Sequence, residues 1–286
     1  MAEVLANNNN QSYRIVQITD SHLFGDRSTL FDGLNTFDSL CDVVNLISEQ
    51  QSQIDLLLCT GDLSQDTSIQ AYHNFLEAMA PLQAPQLWLP GNHDIRSHMQ
   101  QALDQNSVHL KRSAQLGRWR IIMLNSRVPG HVYGLLDQKE LADLDLELAD
   151  SERSGSHVLV CVHHNCLPVK AAWLQQHCLK NSDELFSILD SYSHVRGILY
   201  GHIHQEFSDM RNGAKIMATP STCIQFHPEN DEFTLDDAQP GYRWLELNPD
   251  GSIESAVARV TEKTYNIDFG STGTEPAARA EHKISR

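Results

Sequence analysis

Five short apolar runs each stop on side chains that titrate or bind metal, and this pattern limits the fold more than any other feature of the chain. Residues 13–19 lead into Asp20-Ser21-His22 and residues 54–59 into Thr60-Gly61-Asp62. Residues 87–89 lead into Pro90-Gly91-Asn92-His93-Asp94, residues 158–162 into His163-His164, and residues 195–200 into Gly201-His202-Ile203-His204. Runs this short, largely apolar and closed by turn residues, read as strands covered on both faces. Helical spacing fills the intervals. Apolar residues recur at 34, 37, 40, 43, 44 and 47, Tyr72, Phe75, Leu76 and Met79 share one face, and residues 137–150 form an acidic amphipathic stretch with a solvated charged side. Strand alternating with helix predicts an α/β fold, with a site where the strands end.

The last third changes character. Asn212-Gly213 between residues 207–211 and 214–218 is a two-residue hairpin signal, and Pro249-Asp250-Gly251 joins a second pair, residues 242–247 and 253–260. Residues 1–12 are polar, with four consecutive Asn, and residues 265–286 are polar with a basic end. Both are expected to be loose tails around a single domain spanning 13–264.

A formal net charge of −16 argues against a nucleic-acid polymer as partner, because phosphate contacts need a basic surface. A small anionic substrate stays compatible if something local is strongly positive. The six cysteines form no CxxC pair, and Cys59 and Cys161 lie inside apolar runs as small core residues. The N-terminal residues lack the basic and apolar regions of a secretory signal, and no apolar run approaches the ~20 residues of a membrane span. These features point to the reducing cytoplasm and to no membrane partner.

Asn, His and Asp are ordinary turn residues, so one such strand end means little. Five in succession are another matter. They deliver Asp20 and His22, Asp62, Asn92 and His93, His163, and His202 and His204. In extended backbone, residues i and i+2 point the same way, which lets Asp20 and His22 face one ion. Gly61, Gly91 and Gly201 precede three of the sets, as expected where backbones crowd a compact site or need positive φ. The donors are oxygen and imidazole nitrogen without thiolate, which selects manganese, iron or zinc. They outnumber the ligands of one tetrahedral ion and suit two ions ~3.5–4 Å apart sharing a carboxylate.

Asp-x-His, Gly-Asp, Gly-Asn-His-Asp, His and Gly-His-x-His, in this order over residues 20–204, resemble the calcineurin-like metallophosphoesterase family. The resemblance implies an αββα sandwich of two mixed β-sheets flanked by helices. It implies one metal held by Asp20, His22, Asp62 and His204, and a second held by Asp62, Asn92, His163 and His202, iron or manganese before zinc. His93 would be the catalytic residue, off the metals. His22, Asp62, Asn92, His93, His163 and His204 would contact substrate. Residues 89–94, 201–206, 218–226, 233–236 and 240–242 resemble the cyclic nucleotide phosphodiesterases of that family, class III. That closer similarity implies hydrolysis of 3′,5′-cyclic AMP to 5′-AMP by a hydroxide bridging the metals. A broad phosphodiesterase or phosphomonoesterase, or a non-catalytic metal- or nucleotide-binding scaffold, would carry the same fold. One departure is His163-His164-Asn165-Cys166, where the family often has His-His before a proline-rich turn. It puts the loop beside the second metal in doubt and leaves His164 open as an alternative ligand. Residues 219–226 are placed for a substrate wall, and Phe226 reads either as a base-stacking ring or as core. Tyr133 and His131 are weaker candidates.

Overall fold

The computed structural model describes residues 3–104 and 108–273. Among the described residues, twelve strands form the two main sheets: β1 (Glu3–Ala6), β2 (Tyr13–Ile18), β3 (Leu56–Cys59), β4 (Gln86–Trp88), β5 (Ser113–Leu116), β6 (Trp119–Met123), β7 (His157–Cys161), β8 (Val195–Tyr200), β9 (Phe207–Arg211), β10 (Ala214–Ala218), β11 (Gly241–Leu247) and β12 (Ile253–Arg259). The larger sheet runs β1-β5-β6-β7-β8-β10-β9 and the smaller β12-β11-β2-β3-β4. Both are mixed. β2, β3 and β4 are parallel and β11 joins β2 antiparallel, while β6, β7, β8 and β10 are parallel and β9 closes an antiparallel edge.

Side-chain alternation explains the layering. Leu56 and Leu58 of β3, with Ile15 of β2, meet Ile121, Leu159 and Leu199 of the other sheet in the central core. Their neighbours Leu57, Cys59, Val16 and Ile18 face outward to α1 (Thr36–Gln50), α2 (Ile69–Met79) and α3 (Arg96–Ala102). Val158, Val160 and Val162 face the opposite way from Leu159, against α4 (Gln138–Ser154) and α6 (Ser182–Leu189), with the short α5 (Ala172–Gln175) between those two helices in sequence. The result is the helix–sheet–sheet–helix sandwich, with apolar side chains on both faces of its central strands.

Local chemistry sets the ends. Asn35, Ser68 and Asp137 cap α1, α2 and α4 by accepting a backbone N–H, and Gly155 ends α4 at φ 67°. Asn212 and Gly213 take φ of 48° and 85°, the paired positive values of the expected hairpin turn.

Two expectations about the chain ends are corrected. Glu3–Ala6 is not loose: β1 lies parallel to β5, and Gly117 N–H donates to the Ala6 carbonyl at 2.9 Å. A four-residue edge strand is too brief to show a pattern amid polar residues. Residues 265–273 also dock, with Tyr265 and Ile267 packed on apolar clusters and Asp268 N–H donating to Asp32 at 2.7 Å. The remainder of the expected tail, 274–286, lies outside the described residues.

Candidate metal centre

The strand ends of both sheets meet at one edge of the sandwich. Asp20 N–H donates to Gly61 O and His22 N–H to Asp62 O, both at 2.9 Å, while Gly201 N–H donates to His163 O at 3.1 Å. These bonds join four strand ends in two pairs before any side chain takes part.

Asp20 and His22 converge, but not through extended backbone. Their φ values are 55° and 47°, those of His202 and His204 are 66° and 50°, and that of Asp62 is 51°. Left-handed backbone is uncommon outside glycine, Asp and His adopt it more readily than most side chains, and it collects at functional sites. The expectation that i and i+2 share a face of a strand is therefore corrected: each pair turns twice through the left-handed region to bring its donors inward. Gly61 has the expected positive φ of 98°, and a Cβ there would lie 2.5 Å from His163 Nδ1. Gly91 is required by close approach instead, since its Cβ would overlap the Asp62 carboxylate.

All eight expected residues come together. Oδ2 of Asp62 lies 3.2 Å from Nε2 of His163 and 3.8 Å from Nε2 of His22. Oδ1 of Asp20 lies 3.5 Å from His204 Nε2 and 4.0 Å from His163 Nε2. Asn92 Oδ1 is 3.2 Å from His163 Nε2. Asp20, His22 and His204 form one group of potential ligands; Asp20, Asp62 and His163 form another, and His163 also groups with His202 and His164. His93 joins Asp62 and His22 at the half-buried margin, its ring edge-on to His22 at 4.9 Å and its main-chain N–H on Asp62 Oδ1 at 2.8 Å.

The outward ring nitrogens are anchored. Nδ1 of His163 donates to Thr60 O, Nδ1 of His204 to Ile224 O, both at 2.8 Å, and Nδ1 of His22 bonds Gln65 Oε1 at 2.6 Å. Such second partners fix the tautomer and leave Nε2 as a lone-pair donor to metal. His202 Nε2 is buried without a hydrogen-bond partner among the described residues, as a ligand awaiting a cation would be. The donor set fits metal. His164 is different: although it groups with His163 and His202, its Nδ1 pairs with Ser126 Oγ at 2.7 Å and its Nε2 with Val132 O at 3.0 Å.

Electrostatics follows from this packing. Burial pulls the Asp62 pKa up, but His163, His93 and His22 outweigh it and hold the carboxyl well below its ordinary value. Burial likewise raises Asp20, and His204 and His163 reverse the effect. Burial pushes His22 down to about 4; it also opposes protonation of His163, yet Asp62 and Asp20 raise that imidazole to about 9.

Several contributing residues carried no sequence signal. Gln65 and the carbonyls of Thr60 and Ile224 act through position alone. Asp94, the last residue of the Gly-Asn-His-Asp run, is a buried latch that accepts from Gly91, Leu63 and Ser64 N–H and from Tyr72 OH. Phe226 lies flat on His204 at 4.1 Å and packs on Trp173 and Phe233. His131 and Tyr133 face each other at 4.7 Å, with Lys180 over the Tyr133 ring.

Fold and donor set together define a metallophosphoesterase, and residues 13–206 match the calcineurin-like phosphoesterase family, to which this chain belongs. Binding of a divalent metal pair goes with that membership. The chain is 40% identical over 262 residues to the 3′,5′-cyclic adenosine monophosphate phosphodiesterase CpdA of Pseudomonas aeruginosa, covering 92% of this chain and 95% of that protein. It is 41% identical over 261 residues to CpdA of Escherichia coli strain K12, covering 91% and 94%. Among solved structures, a dimetal phosphatase from Danio rerio is similar with a TM-score of 0.63 at 15% identity, covering 88% of this chain and 100% of that one, a likeness of fold.

Proposed function

We propose that this chain hydrolyses 3′,5′-cyclic AMP to 5′-AMP. The observation that carries the chemistry is a buried cluster of acceptors turned on one another: Asp62 Oδ2, Asn92 Oδ1 and Asp20 Oδ1 around His163 Nε2 at 3.2, 3.2 and 4.0 Å. Asp20, His22, Asp62 and His204 would hold one ion, and Asp62, Asn92, His163 and His202 the other. The Oδ2 atom that faces both His22 and His163 supports Asp62 as the shared ligand. Oxygen and imidazole donors suit iron or manganese, and zinc also fits. When bound, the pair supplies Lewis-acid charge for the phosphate and a hydroxide nucleophile near neutral pH.

His93 has the right place for a proton donor. It is half-buried, where the aspartate and histidine ligands are buried, and edge-on to His22, where a departing ribose oxygen would come within reach. Donation to the 3′ oxygen yields the 5′ nucleotide. His22, Asp62, Asn92, His163 and His204 surround the same opening and would contact the phosphate alongside it. The names and near-complete overlap of the relatives support cyclic AMP as substrate. Six free thiols suit a reducing, cytoplasmic setting.

Metal-reconstituted protein assayed on cyclic AMP, cyclic GMP, 2′,3′-cyclic AMP and p-nitrophenyl phosphate, with metal content measured on the same sample, tests the reading. The highest kcat/KM on cyclic AMP is expected. A higher value on the monoester makes the enzyme a broad phosphoesterase, and two ions without turnover make it a scaffold.

A further inference from the structure

The surface beside the metal centre changes from polar to aromatic at His204. Phe226 lies flat on that ring, centroids 4.1 Å apart and planes at 14°. Trp173 meets Phe226 edge-on at 5.0 Å and Phe233 at 5.1 Å. All three are half-buried, whereas His204 is 2% exposed. The indole N–H of Trp173 is buried and has no hydrogen-bond partner among the described residues.

This rim is held from behind by the segment that follows the last strand. Phe226 and Phe233 share an apolar cluster with Tyr265 and Ile267. Gly273 sits against the Phe233 ring, where a Cβ would come within 2.6 Å. Ser271 Oγ donates to Asp32 Oδ1 at 2.7 Å and Asp268 N–H to Asp32 O, also at 2.7 Å, closing the segment onto the turn that follows Phe31.

We propose that Trp173, Phe226 and Phe233 form the nucleobase subsite, and that residues 265–273 are a positioning strap for it. The proposal rests on the phosphodiesterase reading. A phosphate held over the acceptor cluster leaves the ribose to carry the base outward, off the polar floor. The flat apolar surface reached from His204 offers a purine a stacking partner.

Calorimetric binding of 5′-AMP and of ribose 5-phosphate to the metal-loaded protein separates base from phosphate. Trp173→Ala is expected to weaken 5′-AMP by about five- to hundredfold, the range of one base–aromatic stack, and to leave ribose 5-phosphate unchanged. Trp173→Phe recovers most of the loss, and Ile267→Asp raises KM for cyclic AMP with kcat retained. Equal weakening of both ligands by Trp173→Ala, or no weakening of 5′-AMP by either Trp173→Ala or Ile267→Asp, overturns the proposal. Should Trp173→Ala not fold, Trp173→Phe and Ile267→Asp decide it: 5′-AMP binding and KM equal to wild type in both overturn it. Wild-type protein that binds 5′-AMP more tightly than ribose 5-phosphate yet leaves cyclic AMP intact would sink the enzymatic reading and keep the subsite.

Discussion

Nε2 of His22 and Nε2 of His204 lie 3.2 Å apart in a buried site. His204 Nδ1 must be the protonated nitrogen, because its partner Ile224 O only accepts, and His22 Nδ1 faces the Gln65 carbonyl oxygen. Two lone pairs therefore point at each other. A proton relieves one such contact, and a cation relieves all of them at once, which is how the surrounding carboxylates, amide and imidazoles come to be packed together.

Removing the metals should leave a distinctive stability profile. Burial holds His22 down at about 4 and His164 at about 3, so the unfolded chain takes up their protons first and stability falls as pH drops through ~6.5. His163 has the opposite sign. Burial opposes its charge, but Asp62 and Asp20 raise it to about 9, so its stabilisation is full below ~6.5 and is lost as pH rises through about 9. The melting temperature of metal-free protein is expected to peak near pH ~6.5 and decline toward pH ~9. Metal-loaded protein lacks the upper decline, since the ion replaces the proton on His163. A flat metal-free profile above neutrality in thermal melts would count against the predicted ion pair.

Gly91 is the tightest test of the geometry. A methyl group there overlaps the Asp62 carboxylate, on which the site turns. Gly91→Ala is expected to lose both metals and at least about 10²-fold in turnover, the scale of a ~1 Å displacement at a catalytic centre. Metal analysis showing two ions per chain would contradict the shared role of Asp62.

His93→Ala should separate chemistry from metal binding. Its main-chain bond to Asp62 Oδ1 survives the substitution. Both ions are expected to stay, with turnover of cyclic AMP reduced by about 10²–10⁴-fold. Substrates with good leaving groups should lose less. Equal losses across a leaving-group series, measured by steady-state kinetics, would remove His93 as the proton donor.

Asp94→Ala acts on stability before it acts on the metals. The carboxylate accepts from three backbone N–H groups and Tyr72 OH, all buried. Losing it strands those donors at a cost of about 3 kcal/mol or more. Urea unfolding of metal-free Asp94→Ala and wild type gives the difference directly, and a change under about 1 kcal/mol would mean that the latch is dispensable.

The strands and the donors were legible because burial on both faces and a strand end each leave a local trace. Leu56-Leu57-Leu58-Cys59 reads as a covered strand without any knowledge of what covers it. The conformation that aims the donors left no such trace: Asp20, His22, Asp62, His202 and His204 are left-handed although none is glycine, and Asp20 and His22 N–H bond to Gly61 and Asp62 on a distant strand end. The anchors were hidden for a related reason. Gln65 and the carbonyl of Ile224 are ordinary until the fold brings them behind His22 and His204. Glu3–Ala6 and residues 265–273 were misjudged because their contacts are made with partners far along the chain, β5 and the turn at Asp32. His164, a plausible ligand by register, has both ring nitrogens hydrogen-bonded within the protein, to Ser126 and Val132.

The most direct measurement is phosphorus NMR of 3′,5′-cyclic AMP incubated with purified protein loaded with manganese or iron. The expected spectrum shows the cyclic diester replaced by 5′-AMP, with no conversion by metal-free protein. Unchanged cyclic AMP in the presence of two bound ions, or 3′-AMP as the product, would contradict the account.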